Sequence, residues 1–338
     1  MKLKDLLSLL PESQRGNAST HNHKRVMISV ALAIGLLYLA LQDLNWRTFF
    51  DALYNVQYIY LPIIFFLSSV SFLLRALRLR VLLASEKKLP IPHVFWANMA
   101  GYLGNNILPA RAGELVRTVY LAQQNNISVP YVLAIGLVER LMDLIALIVL
   151  GSLALSSMDV IPPIFQNTLR GVFIAGTIGV LSIFIIPYFG QPLGRLASSI
   201  PMLNEAYKIK LKYFLQQFLG GLKSLQNNTR IVQFIGFTAL IWLLDAAIIV
   251  LTAYALNVQL LLSQAFVLLA ALGLSSAIPS TPGYIGIYQF VAVTILAPFG
   301  ISKADALAFI IISQIFGYLV IGFWGVLSLW QFNKHTQV

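Results

Sequence analysis

Arg111, Glu114 and Arg117 stand at i, i+3 and i+6 in a segment that reads Gly101-Tyr-Leu-Gly-Asn-Asn-Ile-Leu-Pro-Ala-Arg-Ala-Gly-Glu-Leu-Val-Arg117. Residues three apart are neighbours on a helix, so Glu114 can pair with either arginine. Arginine carries a planar fork of donors that matches phosphate. Gly104 and Pro109 interrupt a helix here, and Asn105 and Asn106 place amides at the interruption. A new helix is expected near Pro109, because proline suits a first turn. Its free N–H groups and positive dipole end would then attract an anion. The bland reading, an internal salt bridge that only braces the segment, stays open beside this one.

A second interrupted segment reads Ser275-Ser-Ala-Ile-Pro-Ser-Thr-Pro-Gly-Tyr-Ile-Gly-Ile-Tyr-Gln289. Ser280 or Thr281 can cap a helix with Pro282 at its first position. Gly283 and Gly286 permit close backbone approach, and Tyr284 and Gln289 add polar groups beside them. Small residues that pack helices together would explain the glycines but not the Ser-Thr-Pro cap. Elsewhere, Glu139, Arg140 and Asp143 share an apolar run, with the two carboxylates at i and i+4 on one face. They could hold a cation or a proton, or pair with Arg111 or Arg117. Asp245 lies deep in another apolar run beside Trp242, where a carboxylate must be paired or protonated. These four residues are the candidates for ion or proton coupling. The substrate-binding candidates are Asn105, Asn106, Arg111, Glu114, Arg117, Ser280, Thr281, Gly283, Tyr284 and Gln289.

The elements that must position these residues are membrane helices. Of the 338 residues 58% are hydrophobic and 10% charged, against about 25% charged in a soluble domain. Apolar runs approach or exceed the roughly 20 residues that cross a bilayer as a helix. The alternating ten-residue strands of a transmembrane barrel are missing. The runs are Val26–Leu41, Tyr58–Leu82, Tyr131–Leu155, Leu169–Tyr188, Ile231–Leu256 and Ala306–Trp330. Between them lie the interrupted stretches His93–Gln123 and Ser263–Pro298. The absence of cysteine excludes disulfides, thiolate metal sites and cysteine nucleophiles. No Ser/His/Asp set, nucleotide loop or zinc motif appears. The histidines, His21, His23, His93 and His335, sit near segment ends. No cofactor, metal or catalytic residue is expected. The net charge of +11 fits cytoplasmic loops facing anionic headgroups better than nucleic acid.

Charge asymmetry orients the runs. Lys2, Lys4, Arg15, Lys24 and Arg25 precede the first. Arg75, Arg78, Arg80, Lys87 and Lys88 surround the exit of the second, and Arg195, Lys208, Lys210, Lys212, Lys223 and Arg230 separate the fourth from the fifth. Both termini are therefore expected in the cytoplasm, and the chain in the cytoplasmic (inner) membrane. Each interrupted stretch must then begin and end on one side, as a re-entrant hairpin or a pair of half-helices. The fold class is all-α: a polytopic bundle of two inverted repeats, each running span, span, broken hairpin, span. Such repeats place transport sites where their breaks meet. Residues 1–25 form an N-terminal cytoplasmic segment, 26–330 the transmembrane domain and 331–338 a tail. Within 190–230, the spacing of Leu211, Phe214, Leu215, Phe218, Leu222 and Leu225 predicts a helix at the cytoplasmic interface. The stretch Leu3–Leu10, closed by Pro11, suits the same role.

The stretch Asn105–Arg117, preceded by Arg75-Ala-Leu-Arg-Leu-Arg-Val-Leu-Leu83, resembles the membrane domain of lysylphosphatidylglycerol synthases. Glu139-Arg-Leu-Met-Asp143 and Pro279-Ser-Thr-Pro-Gly-Tyr-Ile-Gly286 fit the same pattern. The resemblance covers nearly the whole chain. It implies a flippase for aminoacylated phosphatidylglycerol. In full-length synthases a separate soluble domain performs aminoacyl transfer, and no stretch here resembles it, so a stand-alone flippase-like protein is expected. Stand-alone relatives are also linked to glycolipid, polyprenyl-phosphate and cardiolipin handling. The expected function is a flippase or scramblase for an anionic or aminoacylated phospholipid or a polyprenyl-phosphate-linked lipid. The alternatives are a membrane-embedded lipid-modifying transferase and an accessory subunit of one. The expected partners are the lipid, a second copy of the chain, or a lipid-synthesising enzyme.

Overall fold

The computed structural model describes residues 18–108, 112–158, 205–224, 227–276 and 281–335, with isolated helical positions at 171, 174, 178 and 179. Apart from these four positions, the run Leu169–Tyr188 lies outside the described residues, as do Leu3–Leu10, Pro109, Arg111 and Ser280. Among the described residues there are eleven α-helices and no strand. They are α1 (Ala18–Leu41), α2 (Trp46–Tyr54), α3 (Leu61–Leu83), α4 (Ile91–Ile107), α5 (Gly113–Asn125), α6 (Val129–Ser156), α7 (Glu205–Ser224), α8 (Asn228–Ala255), α9 (Leu262–Ser275), α10 (Ile287–Leu296) and α11 (Lys303–His335).

Four stretches among the described residues are long and apolar enough to cross a membrane: Tyr58–Leu83, Asn228–Ala255, Pro282–Phe299 and Lys303–Gln331. Helix α6 is as long, but it carries Glu139, Arg140 and Asp143. Ile34, Phe66, Val232 and Val326 stand well exposed on long helices, as lipid-facing side chains do when backbone polar groups are satisfied within each helix. The protein is a multi-pass α-helical membrane protein.

Both interrupted stretches fold as helix pairs, α4–α5 and α9–α10, packed against each other within each pair. At the first crossing the backbones nearly touch. A Cβ on Gly113 would overlap the Gly101 carbonyl oxygen, and one on Gly101 would stand 2.8 Å from the Arg117 Cβ. Helix α5 starts at Gly113, with Ala112 at its cap, and not near Pro109. Glu114 therefore occupies its first turn, where a carboxylate complements the exposed N–H groups. The second break also differs from the expected cap. Thr281 stands at the N-cap of a 3-10 turn with Pro282 first, but its side chain makes no cap bond and donates to the Ile285 carbonyl at 2.9 Å instead. Pro282–Tyr284 is a single 3-10 turn, after which α10 begins at Ile287. Its first N–H groups are met from within: Gly286 N donates to the Gln289 side-chain oxygen at 2.7 Å. Gly286 adopts φ +90°, and a Cβ there would run into the Ala33 backbone of α1.

Helix α3 lies antiparallel to α8. Gln57, just before α3, donates to Asn257, just after α8, at 2.5 Å, while at the other end Arg230 donates to the Ala84 carbonyl at 3.2 Å. Each pair also lies against a long helix from the other end of the chain: α4 against α11, and α9 against α6. Two apolar clusters form the interior. One gathers Leu79, Leu82, Val94, Leu121, Ile135 and Phe234, the other Phe49, Ala253, Leu268, Leu296, Leu307 and Phe309. Between the first two apolar runs the chain forms α2, capped by Asn45 and anchored by buried Phe49. Helix α7 forms as predicted, with Leu222 and Phe218 packed into the first cluster beside α6.

Candidate functional site

Arg75 and Arg78, counted above as loop charges at the exit of the second span, are inside α3, and Arg78 is fully buried. Arg78 donates to both oxygens of Asp143, at 2.5 and 2.9 Å, and to Glu139 at 3.2 Å. The other Glu139 oxygen accepts from Arg117 at 2.8 Å. Arg117 also meets Glu114 at 2.9 Å, and the second Glu114 oxygen accepts from Arg140. The result is one ladder, Asp143–Arg78–Glu139–Arg117–Glu114–Arg140, across α3, α5 and α6. Three arginines face three carboxylates, so it is formally neutral. An unpaired charge is costly at membrane depth, and this alternation removes the need for one.

The ladder changes character along its length. The side chains of Arg78, Glu139 and Arg117 are 1, 4 and 5% exposed, whereas Glu114 is 27% and Arg140 41% exposed. Gly136 makes room for the buried part, since a Cβ there would stand 2.9 Å from the Arg117 Nη2. Asn105 of α4 lies beside Glu114. Among the described residues, polar groups without hydrogen-bond partners cluster around the same helices: both amide atoms of Asn98, Asn105 Oδ1, and the Nε atoms of Arg78 and Arg117. A separate pair joins α3 to α8. Arg75 binds Asp245, which also accepts from Ser71 at 2.6 Å, and the Arg75 guanidinium lies 5.2 Å over the Trp242 ring. The sequence left Asp245 paired or protonated; it is paired.

The end of α4 meets the second break at a different place. A cleft of about 260 Å³ opens between the end of α4 and the second break, lined by Leu103, Asn106, Ile107, Pro282, Gly283, Ile285 and Tyr318. The second break is pinned to α11 from behind: Gln289 donates to Gln314, Gln314 Nε2 donates to the Gly283 carbonyl at 3.0 Å, and Tyr318 donates to the same carbonyl. Tyr284, at φ +61°, stacks on Tyr288 with centroids 4.7 Å apart. Of the sequence-derived candidates, Asn106 and Gly283 line the cleft. Glu114, Arg117, Glu139, Arg140 and Asp143 form the ladder, and Gln289 braces the break. Arg111 and Ser280 lie outside the described residues. Among the described residues, the charged candidates and Thr281 stand elsewhere than in the cleft lining. The carboxylates are drawn to the arginines of α3, α5 and α6. Arg78, Gln314 and Tyr318 were missed. The available signal for Arg78 was an arginine pair at i and i+3 within an apolar run, matching carboxylates at i and i+4 in another.

This geometry defines a class: a multi-pass helical membrane protein in which two interrupted hairpins converge beside a buried chain of ion pairs. The chain belongs to the lysylphosphatidylglycerol synthase transmembrane-region family, whose profile matches residues 26–325. Among curated proteins it is 27% identical to a UPF0104 membrane protein of Methanocaldococcus jannaschii, over 68% of this chain and 94% of that one. It is 21% identical to a UPF0104 membrane protein of Methanothermobacter thermautotrophicus, over 72% of this chain and 77% of the relative. It is also 26% identical to the glycosyltransferase AglD of Haloferax volcanii, over 61% of this chain but only 38% of AglD. No solved structure matches it.

Proposed function

We propose that the protein carries a lipid with an anionic headgroup across the cytoplasmic membrane, as a flippase or scramblase, with both termini on the cytoplasmic side. The observation that carries this reading is the cleft between the end of α4, just before the first break, and the second break. Non-helical backbone at membrane depth leaves N–H and C=O groups that need protein or an aqueous cavity around them. A headgroup uses such a cavity while its chains stay in lipid. The reading is that the chain consists of two inverted repeats; the reciprocal packing of α4 on α11 and α9 on α6, and the antiparallel α3 and α8, support it. Arg111 supplies the fork for a lipid phosphate at the first break. The substrate class is an anionic or aminoacylated phospholipid or a polyprenyl-phosphate-linked lipid. The match to AglD favours a second reading, a membrane unit that serves a lipid-modifying transferase.

The deciding experiment is headgroup translocation in vesicles containing the purified chain as the sole protein. Under the first reading, translocation exceeds that of empty vesicles and falls in Arg111→Lys, which keeps charge but loses the fork. Normal transport by Arg111→Ala removes that residue from the site. No translocation of any anionic lipid leaves the transferase-unit reading. The repeat is tested by single cysteines in this cysteine-free chain: labelling near Gln124 from the outer side alone contradicts the inverted arrangement.

A further inference from the structure

Arg140 differs from the other arginines of the ladder. Arg78 and Arg117 each hold two carboxylates and are buried, whereas Arg140 holds one and is 41% exposed. Among the described residues its one ion-pair partner is Glu114, bound through a single guanidinium nitrogen. Its other guanidinium nitrogens make no ion pair among the described residues. Arg140 lies eleven residues, about 16 Å of helix, beyond Val129 at the start of α6, whose flanking turns are apolar. A half-exposed guanidinium with one shared carboxylate has donor capacity left for a second anion.

Charge balance decides what happens when an anion arrives. The ladder holds three positive and three negative groups. A phosphodiester monoanion on Arg140 adds a fourth negative charge and competes directly with Glu114. The carboxylates do not share the consequence equally. Asp143 is gripped by both Nη atoms of Arg78, and Glu139 by Arg78 and Arg117, and both are buried. Glu114 loses Arg140 and keeps only Arg117, which it shares with Glu139. It is also 27% exposed, the most open carboxylate of the ladder and so the one most readily protonated. The groups that act on Glu114 are Asn105 of α4, Arg117 of its own helix and Arg140 of α6, with Glu139 beyond Arg117 and the Tyr102 phenol of α4 in the field of Arg117, Glu139 and Arg140.

We propose that Arg140 is a receptor for the phosphodiester of the lipid, and that Glu114 is displaced from it and takes up one proton as the anion binds. One ion pair is exchanged for another, and one proton moves from water to a Glu114 carboxylate oxygen. The ladder is neutral before and after, with the bound anion counted. Lipid and proton then enter the site together, which gives the transporter a coupling ion. This inference rests on the reading of the chain as a lipid transporter.

The test is calorimetric titration of the purified full chain in two buffers of different ionisation enthalpy, which counts protons taken up per ligand. The probes are dioctanoyl phosphatidylglycerol, the soluble phosphodiester dimethyl phosphate, and phosphate-free dioctanoylglycerol. With phosphatidylglycerol, one proton is taken up per lipid, and affinity falls as pH rises, by up to tenfold per unit. Glu114→Gln binds the lipid at least as tightly and takes up no proton. Arg140→Lys keeps the charge and loses the fork, and binds at least tenfold more weakly. Dimethyl phosphate that binds with proton uptake supports recognition of the phosphodiester alone; phosphatidylglycerol binding with uptake where dimethyl phosphate fails supports the lipid as its source. Wild-type binding without a proton, or equal proton uptake with dioctanoylglycerol, overturns the proposal, and neither result requires a variant to fold. Vesicle translocation is measured separately. Proton-linked binding without translocation removes the transport reading and keeps this site. Translocation without a linked proton removes this inference alone.

Discussion

Removing the Arg78 guanidinium is the sharpest probe of the buried ladder. Arg78→Met keeps an unbranched apolar stem in the same space and deletes the fork. Asp143 then loses both of its arginine bonds, at 2.5 and 2.9 Å, and Glu139 keeps only Arg117. Breaking a buried pair from one side strands a charge and costs about 3–5 kcal/mol. Arg78 is fully buried and Asp143 7% exposed, so solvent screens little of this loss. Asp143→Asn strands less, because Arg78 retains Glu139. The double variant Arg78→Met/Asp143→Asn leaves no unpaired charge at that end, so it regains most of the stability, with a coupling of about 2 kcal/mol. The assay is unfolding in mixed micelles with increasing sodium dodecyl sulfate, followed by far-ultraviolet circular dichroism. Arg140→Gln is the internal control: its half-open pair is worth about 1 kcal/mol or less. If Arg78→Met costs no more than Arg140→Gln, or if the double variant is as unstable as the sum of the singles, the ladder does not act as a desolvated unit and the argument fails.

Further outcomes follow from the same geometry. Gly113→Ala forces α5 away from the Gly101 carbonyl and destabilises the hairpin by about 1–3 kcal/mol, measured by the same unfolding assay. Leu79→Ala, in the buried face of α3, costs about 2–5 kcal/mol, whereas Phe66→Ala on the exposed face of the same helix costs far less. Gln314→Leu removes the acceptor of Gln289 and a donor to the Gly283 carbonyl; it loosens the second break, read as faster thiol labelling of a cysteine at Ile285. Cysteines at Ile107 and Ile285, on the two walls of the cleft, are joined by a short bis-maleimide, and failure to cross-link them in the membrane contradicts the approach of α4 to the second break.

Hydropathy and charge by themselves determined the solvent of this protein and most of its helices. Long apolar runs can satisfy their backbone only as helices, so α1, α3, α6, α8 and α11 were legible to within a few residues, except that α1 starts earlier and α11 ends later than the apolar runs. Proline, glycine and asparagine marked both interruptions, because these residues disturb a helix locally. The start of α5 at Gly113, and the closing of α10 by Gln289, were not legible. Each depends on a crossing or on a hydrogen bond that the intact hairpin supplies. Glu139, Asp143 and Asp245 announced themselves as costly charges needing partners, but spacing along one helix cannot name a partner on another. Only the tertiary packing of α3 against α6 and α8 gave Arg78 to Asp143 and Arg75 to Asp245. It also set the ladder apart from the cleft lining. The reason is physical: an intramembrane charge is governed by the nearest opposite charge in space, and nearness between helices is fixed by packing.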